Sequence, residues 1–458
     1  MNETKTHKKK GFSRRKFLVR SSVGLGVILG AGYLSKNMVR RYIAKQINEI
    51  DLPYLNQSGP NVWFEVTAGN DIILHSPKVE MGQGAFTGLA QIAAEELGIN
   101  INQMRVVHAP SSSGNIDPFF TGGSTSISGL WQPLRELAAT MREMLKIQAA
   151  ALLQVPVETL DVSDGIIRGS ATSITYGEVV QRTTEWKVPD TPALKDEKDY
   201  KIIGKPVAPV DLHDKVLGAP IFGLDAAMPE MLYGAIVRPV LVGAKYIQAE
   251  TRAAEKMPGV VKIVRQKDFV GVVATSYTEA ENAKEAIKVT WRTEKKWQTA
   301  DIEEMILVGK GNPVVIQKKG KAKNLLSDKV GIFSMEFKSP IGAHAQLEPN
   351  GAVAYVSEDQ ATVIISTQVV KITRDEVAKR LGLKKNQVNI QPTHLGGGFG
   401  RRLHTPHAVE VAVLSKAVGK PVKCIFNRQE EFQSDTFRPP THHIMKAKLR
   451  NDGLIEAI

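Results

Sequence analysis

Apolar residues recur at short, regular intervals in the first patterned stretch of this chain. "NVWFEVTAGNDIILHSP", residues 61–77, alternates apolar and polar positions on both sides of Gly69-Asn70, the pattern of two half-buried strands joined by a turn. The period then lengthens. In "GAFTGLAQIAAEELG", Leu89, Ile92, Ala93 and Leu97 share one helical face and Gly98 supplies a stop. "SGLWQPLRELAATMREMLKIQAAALLQ", residues 128–154, reads as a longer helix that Pro133 is expected to interrupt. Residues 185–200, charged and proline-containing, read as a linker.

Beyond that linker, short strands mix with an alanine-rich helix at Thr278–Ile287, which predicts a compact α+β unit over residues 201–295. The polar patch "KKGKAKNLLSDK", residues 318–329, separates it from a third region. There, strands "AVAYV" and "ATVIISTQ", helix "TRDEVAKRLGL" and strand "QVNIQPTHL" lead into a glycine cluster. The last residues, "HHIMKAKLRNDGLIEAI", read as a hairpin turning at Asn451-Asp452-Gly453. Its second strand has barely begun at Ile458, so a C-terminal remainder is expected. The patterning predicts an α+β, multidomain protein divided into residues 1–50, 55–185, 201–295 and 330–458, the last apparently truncated.

Charge changes this picture only at the N-terminus. The formal net charge is +13, but residues 1–50 hold 12 Lys/Arg against 2 Glu, leaving +3 for the other 408 residues. A basic balance confined to a tail excludes a nucleic-acid-binding body. Within residues 8–34, "KKKGFSRRKFLVRSSVGLGVILGAGYL", a basic region precedes a moderately apolar run at Val23–Leu34. That run is short for ~30 Å of hydrocarbon but suits the h-region of an export signal. "SRRKFL", Ser13–Leu18, follows the twin-arginine pattern, and no clear A-x-A cleavage site comes after it. The body is therefore expected in the periplasm or attached to the outer face of the cytoplasmic membrane.

The single cysteine, Cys424, excludes a disulfide or a Cys-ligated iron–sulfur cluster within this chain. It lies in the apolar run "PVKCIF", where a buried, inert thiol is expected.

Candidate chemistry gathers at three glycine-rich stretches. "HLGGGFGRRLH", His394–His404, leaves a strand with bare backbone that can approach a ligand closely. It lacks the last glycine of G-x-G-x-x-G and the G-K-[ST] ending of a P-loop, so on spacing alone a ligand loop and a structural turn both remain open. "EMGQG" sets Gly82-Gln83-Gly84 before a helix, where free N–H groups favour an anionic ligand and Gln83 offers donor and acceptor. "FFTGGSTSISG", Phe119–Gly129, adds glycines and hydroxyls at the start of another helix. All three at element boundaries point to one large polar, phosphorylated cofactor. Glu348 in "HAQLEPN" reads as a structural turn carboxylate in preference to a pocket residue, and the histidines show no H-E-x-x-H spacing.

"VEMGQGAFTGLAQIAAEELGI", "TGGSTS", "STQVV" and "HLGGGFGRR" together resemble the molybdenum hydroxylases, the xanthine dehydrogenase and aldehyde oxidase family. The likeness is to the branch holding the large subunits of isoquinoline 1-oxidoreductase and of membrane-associated aldehyde dehydrogenases. Residues 201–295 resemble that family's α/β hammerhead domain. The resemblance implies a molybdopterin-binding fold of mixed sheets and helices, and a molybdenum–pterin cofactor in its cytosine dinucleotide form. It implies that Gln368 hydrogen-bonds an oxo ligand of molybdenum and that Phe399 packs beside the substrate. Gly397, Gly398 and Gly400 would make close backbone contacts, and Gly82, Gln83 and Gly84 would hold the pterin. Ser124 and Thr125 would meet the phosphate or nucleotide end. Arg401, with Arg402, would either meet cofactor phosphate or cap the following helix. No protein side chain is assigned to the metal.

The reaction implied is oxidative hydroxylation of an N-heteroaromatic compound or aldehyde with oxygen from water. The partners implied are a small [2Fe–2S] subunit, a c-type cytochrome as electron acceptor, and the C-terminal remainder of the large subunit. The family's catalytic glutamate lies in a G-x-G-E motif that these 458 residues do not contain. A non-catalytic cofactor-binding or assembly subunit, or an inactive fragment, is the alternative.

Overall fold

The computed structural model describes residues 60–458, apart from 190, 240, 242 and 328–330. The expected export segment lies outside the described residues. Among them, no helix is long and apolar enough to cross a membrane. The described chain forms two compact units, residues 60–297 with 342–438, and residues 298–341 with 439–458.

The larger unit begins as the alternation predicts. Strands Phe64–Val66 and Ile72–Ser76 pair antiparallel, with Phe64 opposite Leu74. Asn70 turns the corner at φ 70°. Strand Met104–His108 then pairs parallel with Ile72–Ser76, a connection that needs a crossover, and helix Ala85–Leu97 provides it. Gly98 ends this helix at φ 68°, its N–H bonded to the carbonyls of Ala94 and Glu95.

Helix Trp131–Leu153 packs against it, burying Leu134, Ala138, Met141 and Leu145. Pro133 does not break this helix. It sits in the first turn, where a missing N–H removes no intrahelical bond.

Part of the stretch read as a linker is bound to these helices. Glu95 and Glu96 are fully buried at the end of helix Ala85–Leu97. Glu96 accepts from the Lys195 amide at 3.1 Å and from Arg135 Nε at 2.8 Å. Glu95 Oε2 accepts from the amides of Lys201 at 2.8 Å and Ile202 at 2.6 Å. Arg142 bonds the carbonyls of Glu96 and Ala193. Two buried carboxylates must be satisfied, and the passing backbone satisfies them. Burial raises the Glu95 pKa, but these amides and Lys195 outweigh it and hold the carboxyl below the usual range.

A seven-stranded mixed sheet is the largest sheet of this unit among the described residues. Its order is Val388–Pro392, Ala361–Ile365, Gly351–Val356, Val422–Ile425, Leu232–Val237, Val270–Ala274, Val260–Arg265. Strands of the 201–295 segment and of the third region thus share one sheet, joined where Val422–Ile425 runs parallel to Leu232–Val237. Helix Pro406–Val418 lies on it through Val411 and Leu414, and helix Val370–Leu381 through Val377. Gly234 and Gly271 permit that approach. A Cβ on either would stand 2.7 or 2.5 Å from Leu414. Cys424 is buried in the sheet, and burial pushes its thiol pKa up, as expected for an inert residue.

In the smaller unit, strands Ile332–Ser339, Thr441–Leu449 and Ile455–Ala457 form an antiparallel sheet. Its final turn lies at the expected place, with Gly453 at φ 79°. The fold is α+β, as the patterning predicts, with the mixed sheets that the resemblance implies.

Candidate functional site

The helix N-terminus expected to await an anion already has one, from the chain itself. Glu80, two residues before Gly82, is buried, and its Oε1 accepts from the amides of Gly82 at 3.0 Å and Gly84 at 3.1 Å. Its Oε2 accepts from the Phe86 amide at 3.0 Å. The free N–H groups and dipole of helix Ala85–Leu97 are answered internally. Gln83 is likewise committed. Its Oε1 accepts from the Met81 amide at 2.7 Å and its Nε2 donates to the Val79 carbonyl at 2.8 Å. The amide that the sequence offers to a heterocycle instead shapes the loop.

Behind this loop, His108 Nε2 accepts the Glu80 amide at 3.1 Å. The ring lies 4.7 Å from Phe86 and 4.9 Å from His394, centroid to centroid. Burial, with the His394 ring beside it, lowers the His108 pKa to about 3. His108 is therefore neutral and carries its proton on Nδ1. The chain leaving His394 is tied to the same place, because the Leu395 amide donates to the Glu80 carbonyl at 3.1 Å.

Thr121 joins the second glycine stretch to the other loops. Its Oγ1 accepts the Val79 amide at 3.0 Å. Its amide donates to the Gln368 carbonyl at 2.8 Å, and its carbonyl accepts from Gln368 Nε2 at 2.7 Å. Gln368 is buried, and its Oε1 has no hydrogen-bond partner among the described residues. Gly398 is where these strands of contact meet. A Cβ there would stand 2.4 Å from Met81 Sδ and 3.0 Å from Gln368 Oε1. The MGQG, TGG, STQ and GGGFG stretches, scattered along the sequence, converge on that glycine.

The GGGFG loop itself is bent and fixed. Gly397 and Gly400 both have φ 99°, and Phe399 adopts φ 53°, a conformation that disfavours a side chain. The Phe399 ring is 70% exposed, although aromatic rings are usually covered. Ser124 has φ 57° and is exposed, while Thr125 Oγ1 is spent on the Gly122 carbonyl at 3.0 Å. Among the described residues, no hydrogen bond joins either side chain to Gln368.

Both arginines turn inward. Arg402, fully buried, donates from Nη1 to Asn350 Oδ1 at 2.8 Å and to Ser366 Oγ at 2.9 Å. Its Nη2 donates to the Glu348 carbonyl at 2.7 Å and to Glu348 Oε2 at 2.9 Å. Glu348 also accepts the amides of Gly396 at 2.8 Å and Leu224 at 3.0 Å, so it is a structural clamp on the glycine loop. Arg401 pairs with Glu431 at 2.7 Å and Asp435 at 3.3 Å and is buried. Arg402 Nη1 and Nη2 are committed inside the chain, whereas Arg401 Nη1 has no hydrogen-bond partner among the described residues. Asp435 also receives the His344 amide at 2.7 Å and pairs with its Nδ1 at 2.8 Å. Burial raises the Asp435 pKa, but His344 and Arg401 outweigh it and leave the carboxyl below the usual range.

Sequence reasoning missed Glu80, Thr121, His108, His344 and Gln346. Glu80 alone carried a legible cue, a carboxylate just ahead of a helix start. Among the described residues, no three His, Cys, Asp or Glu side chains gather as a metal site. The unpartnered Gln368 oxygen fits a polar group held by amides, the kind of contact a pterin makes, while the missing side chains of Gly397 and Gly398 leave room for the chain's own Phe399, Gln346, Met81 and Gln368 to close around it.

The family described as molybdopterin cofactor-binding domain matches residues 308–458, and a second family of the same description matches residues 7–226. Membrane-bound aldehyde dehydrogenase (pyrroloquinoline-quinone) of Gluconacetobacter polyoxogenes is 29% identical over 94% of this chain and 57% of its own length. A nicotinate dehydrogenase polypeptide of Pseudomonas putida is 30% identical over 77% of this chain and 31% of its own. The beta polypeptide of isoquinoline 1-oxidoreductase from Brevundimonas diminuta is 28% identical over 84% and 56%. The chain thus spans between about a third and somewhat more than half of these relatives. Among solved structures, quinoline 2-oxidoreductase from Pseudomonas putida 86 aligns at 21% identity and a TM-score of 0.45, over 53% of this chain and 37% of that one.

Proposed function

We propose that this chain, which carries molybdopterin cofactor-binding domains and whose homologues are molybdopterin-dependent oxidoreductases, is the N-terminal part of a molybdenum hydroxylase large subunit. The reaction is oxidative hydroxylation of an N-heteroaromatic compound or an aldehyde, with oxygen from water and electrons leaving to a [2Fe–2S] subunit. One observation carries the reading: the buried, unpartnered Oε1 of Gln368 faces the bare backbone of Gly398.

When bound, the molybdenum–pterin group supplies the two-electron oxidation. The chain's own residues do the rest. Gln368 gives one N–H of Nε2 to the Thr121 carbonyl and keeps Oε1 as an unpartnered acceptor, so a group that meets Oε1 brings a hydroxyl or an N–H. Gly397 and Gly398 let Gln346, Met81 and Gln368 pack against the loop, Phe399 forms an apolar wall, and Arg402 with Glu348 keeps the loop in place. The G-x-G-E glutamate would come from a C-terminal remainder. Ser13–Leu18 supports export by the twin-arginine route to the periplasm or the outer face of the cytoplasmic membrane.

The test is expression of the chain with a C-terminal remainder and iron–sulfur subunit, followed by molybdenum and pterin analysis and turnover on a panel of N-heteroaromatics and aldehydes. Bound molybdenum and pterin with turnover of either class supports the proposal. Cofactor without turnover of any substrate assigns cofactor holding or assembly instead, and absence of cofactor from the completed complex ends the enzyme reading.

A further inference from the structure

Gln346 is fully buried, yet neither Nε2 nor Oε1 has a hydrogen-bond partner among the described residues. Folded chains rarely leave a buried amide unmet at both ends. The segment around it is also held against relaxation. Ala345, a non-glycine, has φ 50°. Arg428 grips the next two carbonyls, Gln346 O at 2.7 Å and Leu347 O at 2.6 Å. His344 is anchored to Asp435 on the other side. Leu347 faces out, 88% exposed, while Gln346 is kept inside.

Its position relates it to the GGGFG loop. A Cβ on Gly397 would stand 3.2 Å from Gln346 Cβ, and a Cβ on the next residue, Gly398, would stand 3.0 Å from Gln368 Oε1. Two amides with unmet groups therefore flank successive glycines of one loop. The residue that follows them, Phe399, holds an exposed ring on a left-handed backbone. Strain and unmet polarity coincide at functional sites more often than in structural turns.

We propose that Gln346 is a second amide contact for the occupant of the Gln368 site, meeting the edge of a neutral planar heterocycle that offers an acceptor beside a donor. A primary amide presents one N–H edge and one carbonyl in a plane, which matches a lactam or amidine edge. A phosphate or carboxylate would satisfy the N–H alone and set negative charge against the carbonyl. The inference rests on the functional reading of this chain as part of a molybdenum hydroxylase. Two occupants have the required edge, the pterin of the cofactor and an N-heteroaromatic substrate.

The experiment compares wild type with Gln346→Met in the completed complex and in the cofactor-free chain. Three quantities are measured: the melting temperature without cofactor, pterin fluorescence and molybdenum retained per polypeptide after gel filtration, and KM and kcat of the loaded enzyme on an N-heteroaromatic. Removing an unmet amide should leave the cofactor-free melting temperature equal or higher. If the pterin is the occupant, retention falls about tenfold, equivalent to about 1.4 kcal/mol. If the substrate ring is the occupant, retention holds and KM rises about tenfold with kcat kept. Gln346→Asn, which withdraws the amide by one methylene, gives the same readings if the Met variant does not accumulate.

Unchanged retention and KM in a loaded Met variant overturn the inference while leaving the functional reading intact. A clear fall in cofactor-free melting temperature overturns it too, because the amide would then have partners inside the protein. A wild-type complex that retains neither pterin nor molybdenum removes the functional reading, and this inference with it.

Discussion

Thr121 and Gln368 exchange two hydrogen bonds across 247 positions, amide to carbonyl at 2.8 Å and Nε2 to carbonyl at 2.7 Å. Thr121 also takes the Val79 amide on its hydroxyl. One threonine thus fixes the MGQG approach, the TGG turn and the STQ glutamine relative to each other. It also decides which end of the Gln368 amide is left free. The site is assembled by such backbone and amide contacts, and each one can be removed singly.

Glu80 is the first to test. Glu80→Ala leaves the amides of Gly82, Gly84 and Phe86 without their acceptor. The expected loss is about 2–4 kcal/mol, since each buried unmet donor costs about 1–3 kcal/mol and part of the loop can reach water. Urea unfolding measures it. A midpoint within error of wild type would show that the carboxylate does not hold the loop.

Arg402→Met should be more damaging, because it strips Glu348 of its buried cation and leaves four neutral acceptors, the carbonyls of Gly397 and Glu348, Asn350 Oδ1 and Ser366 Oγ, without their donor. A loss of about 3–5 kcal/mol is expected from a broken buried pair. Adding Glu348→Gln to Arg402→Met should recover part of it, since the unpaired charge goes. A double variant weaker than the single one by the full cost of Glu348→Gln alone would refute the coupling.

His108 predicts a pH dependence. Its folded pKa, about 3, lies below an unfolded value of about 6.5, so the folded state excludes a proton that the unfolded chain takes up. The stability it contributes is present above about pH 6.5 and is lost as pH falls towards 3. Between pH 7 and pH 5 that group alone should remove about 2 kcal/mol. His108→Gln keeps an acceptor for the Glu80 amide and does not titrate. Its urea-derived stability should therefore change less between those pH values, by about that amount. Equal slopes in both proteins would mean that His108 is not the group.

Phe399 holds a left-handed backbone with an exposed ring, so the ring's contribution to folding is small and its conformational cost is not. Phe399→Gly should leave the cofactor-free chain about 0.5–1 kcal/mol more stable by thermal unfolding. In the completed enzyme the same change should lower turnover about tenfold or more, by opening the apolar wall. A destabilised chain with unchanged turnover would reverse both assignments.

Much of the fold is legible from periodicity. The turn at Gly69-Asn70, the helix stopped by Gly98, the succession of strand, strand, helix and strand before the glycine loop and the hairpin at Gly453 all follow from local patterns. The candidate site is legible only as a set of motifs. Gln83 looks in sequence like a ligand contact, yet the structure spends its amide on Val79 and Met81, and Arg401 gives its Nε to Glu431 while its Nη1 has no partner among the described residues. A polar side chain beside glycines has several reachable partners, and its own sequence does not rank them.

By itself the sequence determined where backbone is bare, where helices begin and end, and which residue types bear the chemistry, because these depend on neighbours within a few positions. Only the tertiary structure decided that Glu80 fills its own helix terminus, that the amides of Lys195, Lys201 and Ile202 are bound by Glu96 and Glu95, and that Gln346 and Gln368 flank one glycine loop. Those outcomes turn on which distant donors reach a buried acceptor first. That competition is settled by packing across tens to hundreds of residues, where local pattern carries no information.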